Sequence, residues 1–246
     1  LSRHPAVVEL TDSFNKMAER LDQTEILHTD FVNNFSHEFK TPIVSIFGFA
    51  KLLKNGGLTP EEQSEYVDVI EEEARRLSNM AVGMLQLSKV EQQTALTNVT
   101  RYNLSEQLRN CVLLLETKWT EKGLEPELLF DEYEIKADED LLKQVWLNLI
   151  DNAIKFSEPD GAFRICVSQD AEHITVSIAD TGQDIPEKSL PYIFQKFYQA
   201  DESHAGEGNG IGLAVAKRIV SMHGGDIAAE SGGGKTTFTV TLPKKA

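Results

Sequence analysis

Cysteine is nearly absent from this sequence: of 246 residues only Cys111 and Cys166 carry a thiol, each inside an apolar pattern. Neither a disulfide framework nor a cysteine-based metal site is expected from them, and a reducing cytoplasm fits. Long hydrophobic runs are missing as well. No stretch of about 18 or more apolar residues occurs and no charged-then-apolar leader opens the chain, so neither a membrane span nor a signal peptide is expected. Basic residues are scarce, 24 Lys and Arg against 39 Asp and Glu, giving a net charge of −15 and a pI near 4.8. That balance argues against a nucleic-acid partner, because phosphate backbones are bound mainly through concentrated Lys and Arg. A polyphosphate ligand would have to be held by a local arrangement of groups.

What the chain does have is helical periodicity in its first third. A hydrophobic content of 41% is ordinary for globular material, and the length suggests more than one folding unit. After Pro5, the residues Leu10, Phe14, Met17 and Leu21 mark an amphipathic helix. Between Leu21 and Val32 the seam passes through Thr24 and His28 with two successive steps of four, a stutter that alters local supercoiling and suits a relay joint. Val32, Phe35, Phe39, Pro42, Ile46, Phe49 and Leu53 then alternate steps of three and four, the seam of a helix that pairs with other helices. His37 lies off that seam at the most solvated heptad position, with Glu38 beside it and Thr41 one turn on. Pro42 lacks an amide hydrogen and should bend the helix just beyond the histidine. Asn55-Gly56-Gly57 stops this helix, and Thr59-Pro60-Glu61-Glu62 starts the next, with Thr59 as N-cap. Tyr66, Ile70, Ala74, Leu77, Ala81, Met84 and Ser88 continue its apolar or small face. Two helices alone bury too little, so a second copy is expected to complete a four-helix bundle.

The heptads end in a polar connection around Gln92 to Thr100, beyond which the texture changes. Ser105 begins a helix with Leu108, Val112, Leu115 and Trp119 on one face, where Cys111 reads as a core filler. Strand-like segments follow at Leu128 to Phe130 and Ile135 to Ala137. Phe163-Ile165-Val167 and Ile174-Val176-Ile178 alternate with polar residues as a half-buried antiparallel hairpin does. Two more strands, Asp226 to Glu230 and Thr236 to Leu242, flank the Gly232-Gly233-Gly234 turn. The second part therefore reads as a layer of helices on one sheet.

Four stretches of this part carry candidate chemistry. On the helix from Asp140 to Phe156 the apolar side is Leu142, Trp146, Leu149 and Ala153, and Asn148, Asn152 and Lys155 form a polar stripe turned away from it. Carboxamides and an ammonium on one face suit phosphate and a hard cation such as magnesium, although polar stripes are also ordinary solvated faces. Asp180-Thr181-Gly182 ends a strand, where an acid can accept from an exocyclic amine and a glycine permits close approach; a plain turn reads the same way. Phe194, Phe197 and Tyr198 cluster before a loop running from Gln199 to Asn209. Gly206-Glu207-Gly208-Asn209-Gly210-Ile211-Gly212-Leu213 opens a helix that ends at Gly224-Gly225, and such glycines bring backbone amides to phosphates. No Gly-Lys-Ser or Gly-Lys-Thr at P-loop spacing accompanies them.

Ser36-His37-Glu38-Phe39-Lys40-Thr41-Pro42 resembles the phosphoacceptor motif of sensor histidine kinases of bacterial two-component systems, with Phe39 and Lys40 where the usual form has Leu and Arg. The asparagine stripe, Asp180-Thr181-Gly182, the aromatic cluster and the glycine-rich segment resemble that family's ATP-binding motifs, in the family's order. The first helix resembles the end of a HAMP relay module. The resemblance implies a relay helix over 1–24, a dimerisation and phosphotransfer hairpin over 25–95, and an ATP-binding domain over 96–246. The implied fold is an all-α helical hairpin followed by an α/β sandwich of the Bergerat type. It further implies ATP and Mg2+ as cofactors, His37 as phosphoacceptor and a response-regulator receiver domain as partner. Glu38 would accept the ring proton, and with Thr41 could serve a regulator-phosphatase reaction. Asn152 would hold magnesium with Asn148 in support and Lys155 on phosphate. Asp180 and Gly182 would take the adenine, Phe197 would anchor a lid, and Gly208, Gly210 and Gly212 would line the phosphates. A cytoplasmic piece of a membrane sensor is the implied location, the membrane being reached only through a missing N-terminal region. One position departs: Asp184 stands where the family has a second glycine, which should weaken or alter nucleotide binding. The alternatives are a non-catalytic dimeric scaffold with impaired nucleotide use, and a Bergerat-type ATPase, though related ATPases carry Glu where this chain has Asn148.

Overall fold

A computed structural model describes residues 36, 38–93, 95–200 and 210–244. The expected relay helix, the stutter and His37 itself lie outside these residues. The chain forms two compact units that divide between Leu77 and Ser78, inside one long helix.

In the first unit, helix α1 runs over 38–55 and is continuous through Pro42. It ends where Gly56 and Gly57 take φ of 72° and 81°, a left-handed turn that glycine enters at no steric cost. Helix α2, Pro60–Gln92, starts with a reciprocal cap: Thr59 Oγ1 accepts from the Glu62 amide at 3.2 Å, and the Glu62 carboxylate accepts from the Thr59 amide at 2.8 Å. Pro42 is buried and Ile46, Phe49 and Leu53 are half-buried, following the predicted seam, and Phe49 meets Tyr66 with ring centroids 5.1 Å apart. A second apolar stripe of α1 stays uncovered: Ile43, Val44 and Phe47 are 52%, 59% and 70% exposed.

The second unit takes in the end of α2, where Glu91 pairs with Lys196 and Arg218 donates to the Gln93 carbonyl at 3.1 Å. Its elements follow as β1 (Val99–Asn103), α3 (Leu104–Leu114), α4 (Glu116–Glu121), β2 (Glu125–Leu129), β3 (Glu134–Asp138), α5 (Glu139–Phe156), β4 (Ala162–Gln169), β5 (His173–Thr181), α6 (Gly212–Met222), β6 (Asp226–Ser231) and β7 (Lys235–Pro243). Five strands form a mixed sheet in the order β2-β4-β5-β7-β6, with β2 parallel to β4 and the other pairs antiparallel. The expected β4–β5 hairpin is present.

Two expectations are corrected. The strands do not make one sheet, because β1, read from sequence as part of a polar connection, pairs with β3 in a separate two-stranded ladder. The helix predicted from Ser105 through Trp119 breaks at Leu115, whose φ of −104° and ψ of 13° leave the helical range. The Trp119 indole N–H compensates by donating to the Val112 carbonyl at 3.0 Å, and the Leu115 amide donates to the same oxygen at 3.1 Å.

Helix α5 carries the core. Asp138 caps it by accepting from the Leu141 amide at 3.2 Å, and Leu142, Trp146, Leu149 and Ala153 are fully buried among α3, α6 and the sheet. The Trp146 indole N–H donates to Gln107 Oε1 at 2.8 Å, the Tyr102 hydroxyl donates to the same oxygen at 3.0 Å, and Gln107 Nε2 donates to the Glu139 carbonyl at 2.8 Å. This buried network ties α3 to the start of α5, so the polar face of α5 is fixed by what its opposite face does. Among the described residues no helix is long and apolar enough to cross a membrane.

Candidate functional site

The polar face of α5 forms one wall of a cavity of about 310 Å³. Asn148, Asn152 and Lys155, half-buried at spacings of four and three, all line it, as do their neighbours Asp151 and Phe156. Lys155 sets its ammonium 4.5 Å from the centroid of the Phe156 ring, and Asp151 is held from outside by Lys118 at 2.5 Å. The opposite wall comes from β5, the segment after it, and β7.

Asp180 is the most unusual group in that wall. It is 2% exposed, and its Oδ1 is buried without a hydrogen-bond partner. Burial pushes its carboxyl up to about 7, against some lowering by its own backbone amide and by Lys122. A buried carboxylate oxygen with no donor of its own, opening on a cavity, is a receptor for a donor from outside. Thr236, 3% exposed, stands across from Asp180 in the β5–β7 ladder and also lines the cavity.

Gly182 shapes the site from behind the lining. A Cβ there would sit 1.8 Å from the Phe156 carbonyl oxygen, so only glycine lets the end of β5 close against the end of α5. Gly210 lines the cavity with φ of 63°, and a Cβ on it would come 2.7 Å from the Phe197 carbonyl carbon. Phe197 is buried beside the cavity and absent from its lining; its amide donates to the Gly210 carbonyl at 2.9 Å, and its φ of 62° is left-handed. Gly212 packs on Asn148, whose Nδ2 donates to the Gly212 carbonyl at 3.1 Å, so the start of α6 is tied to the polar stripe. Gly208 lies outside the described residues.

Asp184, the residue standing where the resembling family has a second glycine, takes no conformation that would call for glycine. Its φ is not left-handed, and its Oδ1 accepts from the Gly234 amide at 2.9 Å and the Lys235 amide at 3.3 Å. It lines the cavity while its side chain is engaged by the β6–β7 turn.

On the hairpin, Glu38 is half-buried and its Oε2 accepts from Arg76 of α2 at 3.1 Å. Thr41 is exposed. Among the described residues no group of three or more His, Cys, Asp or Glu is placed to hold a metal ion. On the α5 wall of the cavity the oxygen donors are the Asn148 and Asn152 carboxamides and Asp151, a set that suits a hard cation shared with ligand phosphates.

The sequence did not point to Thr236, Ile193 or Phe238 as lining residues. Thr236 shares the inward phase of Phe238 and Val240 on β7, and a lone hydroxyl in an apolar phase was the available signal.

Comparison with known proteins gives two family matches. Residues 27–93 match the His Kinase A (phospho-acceptor) domain, and residues 137–246 match the histidine kinase-, DNA gyrase B- and HSP90-like ATPase domain. The heme sensor protein HssS of Staphylococcus saprophyticus is 33% identical over 94% of this chain and 50% of its own length. The circadian input-output histidine kinase CikA of Synechococcus elongatus is 33% identical over 88% of this chain and 30% of its own. Sensor histidine kinase CusS of Escherichia coli K12 is 28% identical over 96% and 49%. The chain thus spans half or less of the length of these relatives. Among solved structures, histidine kinase ThkA in complex with response regulator protein TrrA superposes with a TM-score of 0.76 at 27% identity, covering 95% of this chain and 66% of that one. Full-length ShkA in complex with AMPPNP gives a TM-score of 0.64 at 28% identity over 90% and 46%.

Proposed function

The chain belongs to the sensor histidine kinases, and from that premise we propose that it transfers the γ-phosphoryl group of ATP to His37 and passes it on to an aspartate of a response-regulator receiver domain. The observation that carries the nucleotide half is the buried, unpartnered Asp180 Oδ1 on one wall of a cavity whose other wall is the Asn148, Asn152 and Lys155 stripe. One end thus offers an acceptor for the adenine amine, and the other offers groups for phosphate.

Asp180 reads the base, and Gly182 keeps α5 and β5 close enough to flank it. Asn152, supported by Asn148, is the residue that would hold Mg2+, which when bound offsets phosphate charge. Lys155 faces phosphate, and Gly210 and Gly212, with Gly208, present backbone to it. Phe197 acts from behind the wall through Gly210. On the hairpin, a ring nitrogen of neutral His37 bonds to the γ-phosphorus as the bond to the leaving ADP oxygen breaks. The proton of the other ring nitrogen goes to Glu38, which Arg76 keeps fixed on the hairpin. Glu38 and Thr41 also serve regulator dephosphorylation, Thr41 positioning the water.

The domain limits we propose are 1–24, 25–95 and 96–246. The uncovered stripe of Ile43, Val44 and Phe47 supports a homodimer closed through α1. The similarity to ThkA, solved with TrrA, supports a receiver-domain partner. The kind of relative matched supports a place on the cytoplasmic side of a membrane sensor. Neither a scaffold nor a mechanical ATPase draws support from the site: the Asp184 carboxylate is engaged by the turn, and Asn148 offers no carboxylate to activate water.

The test is incubation with γ-labelled ATP and magnesium beside His37→Ala. Acid-labile, alkali-stable label in the wild type and none in the variant is expected. Equal labelling of both proteins would remove His37 from the role.

A further inference from the structure

The turn between β6 and β7 has one closing bond of its own, the Gly232 amide donating to the Lys235 carbonyl at 3.0 Å. Gly233 and Gly234 take left-handed φ of 68° and 76°, and Cβ atoms built on Gly232 and Gly233 would meet nothing within 4 Å. Glycines without packed neighbours leave the shape of the turn to hydrogen bonds. Successive backbone N–H groups in glycine-rich left-handed turns form a concave nest that binds anions. Here the nest is filled from within the chain: Asp184 Oδ1 accepts from the Gly234 and Lys235 amides at 2.9 and 3.3 Å.

Other bonds join the same two segments. The Gly182 amide donates to the Gly234 carbonyl at 3.1 Å, and the Ile185 amide donates to Ser231 Oγ at 2.8 Å. Ser231 Oγ in turn lies 2.8 Å from the hydroxyl of Thr236, the residue across from Asp180. The turn, the Asp184 loop and the Asp180 wall of the cavity are therefore one connected piece, and Asp184 supplies its only bonds to a charged acceptor among those named.

We propose that Asp184 is a positioning residue: its carboxylate fills the backbone nest of the β6–β7 turn and thereby fixes the base-side wall of the cavity. The proposal rests on the reading of that cavity as a nucleotide site. It opposes the view that a carboxylate at this position merely repels the nucleotide, and the two make opposite predictions. Removing the acceptor loosens the wall, so Asp184→Ala and Asp184→Gly weaken nucleotide binding. Asp184→Asn keeps a neutral carbonyl oxygen at the same place and loses less affinity than Ala or Gly. Simple repulsion instead has Asn and Gly binding more tightly.

The experiment measures ATP affinity by titration calorimetry for the wild type and the three variants, together with exchange of the Gly234 and Lys235 amides by NMR. Ala and Gly are expected to lose roughly three- to tenfold in affinity, the scale of one or two partly exposed charge-assisted bonds, with both amides exchanging at least about tenfold faster. Asn is expected to lie between the wild type and Ala in both. Tighter binding by Gly or Asn, or unchanged amide exchange in Ala and Gly, would overturn the proposal. A wild type that binds no ATP would sink the nucleotide reading, and the exchange data would still decide the tether.

Discussion

Asp180 is stable only at a cost when it is charged. Its carboxyl is raised by burial from an ordinary value of 3.8 to about 7, so the folded state binds a proton that the unfolded chain has lost over that interval. A raised carboxyl stabilises the fold fully at low pH, and that contribution is lost as pH rises through about 7. At pH 8 the ligand-free protein therefore carries a buried charge that its own backbone amide and Lys122 only partly offset, at a cost on the order of 2–4 kcal/mol. Asp180→Asn should raise the unfolding free energy at pH 8 by part of that amount while cutting ATP affinity roughly tenfold or more. Urea unfolding and nucleotide titration check the two halves, and a variant no more stable than wild type would show that the charge is relieved in some other way. ATP affinity of the wild type should also fall from pH 8 to pH 6, as the acceptor takes up a proton. Asp180 and Gly182 were legible in the sequence because an acid and a glycine at a strand end announce both charge and close approach. Thr236 was not, since only the β5–β7 register, set by about fifty intervening residues, brings it opposite Asp180.

The elements around the cavity are coupled through one buried histidine. His223, just past the end of α6, donates from Nδ1 to the Ile219 carbonyl at 2.8 Å and accepts at Nε2 from the Asp138 amide at 3.1 Å. Both bonds together require the neutral ring protonated at Nδ1, and burial lowers its pKa below the ordinary 6.5. For a histidine lowered in the fold, the stabilisation is present above the ordinary value and is lost as pH falls toward the folded one. Protonation at Nε2 abolishes the acceptor and detaches α6 from the residue that caps α5. His223→Gln should be less stable than wild type at pH 7 yet lose less on going to pH 5, as read from urea midpoints at both values. Equal losses in the two proteins would take His223 out of the acid response. Asp180 acts in the opposite direction over the same window, so the comparison must be made between proteins and not from the wild-type curve alone. At this scale the helices were legible from apolar period and caps, as Thr59, Gly56 and the Asn148 stripe show. The break at Leu115 and the strand β1 were not. Leu115 continues an unbroken apolar face, and its departure depends on Trp119 reaching back to Val112; β1 owes its existence to β3, more than thirty residues on.

At the scale of the whole molecule, two opposing terms decide association. Each chain carries a net charge of −15, so two copies repel over distances set by the ionic strength. Against this stands the stripe of Ile43, Val44 and Phe47 on α1, whose burial favours pairing by roughly 25 cal/mol per Å² removed from water. A second copy was the expectation from sequence because a hairpin is too thin to hide its apolar residues, but the sequence placed only one seam, the one now turned toward α2 near Phe49 and Tyr66. The exposed stripe lies about one residue around the helix from that seam, and only the structure separates the two. Screening weakens the repulsion and leaves the apolar term nearly untouched, so dimer affinity should rise several-fold between about 20 and 200 mM salt. Phe47, 70% exposed in the single chain, should be the most sensitive position. Phe47→Glu adds a charge to each copy and removes the largest side chain of the stripe, and it should shift the protein to monomer at micromolar concentration while leaving ATP titration unchanged. Sedimentation velocity across the salt series reads both effects. A dimer that weakens with salt would mean that ion pairs hold it, and a Phe47→Glu protein that stays dimeric would move the interface away from this face of α1.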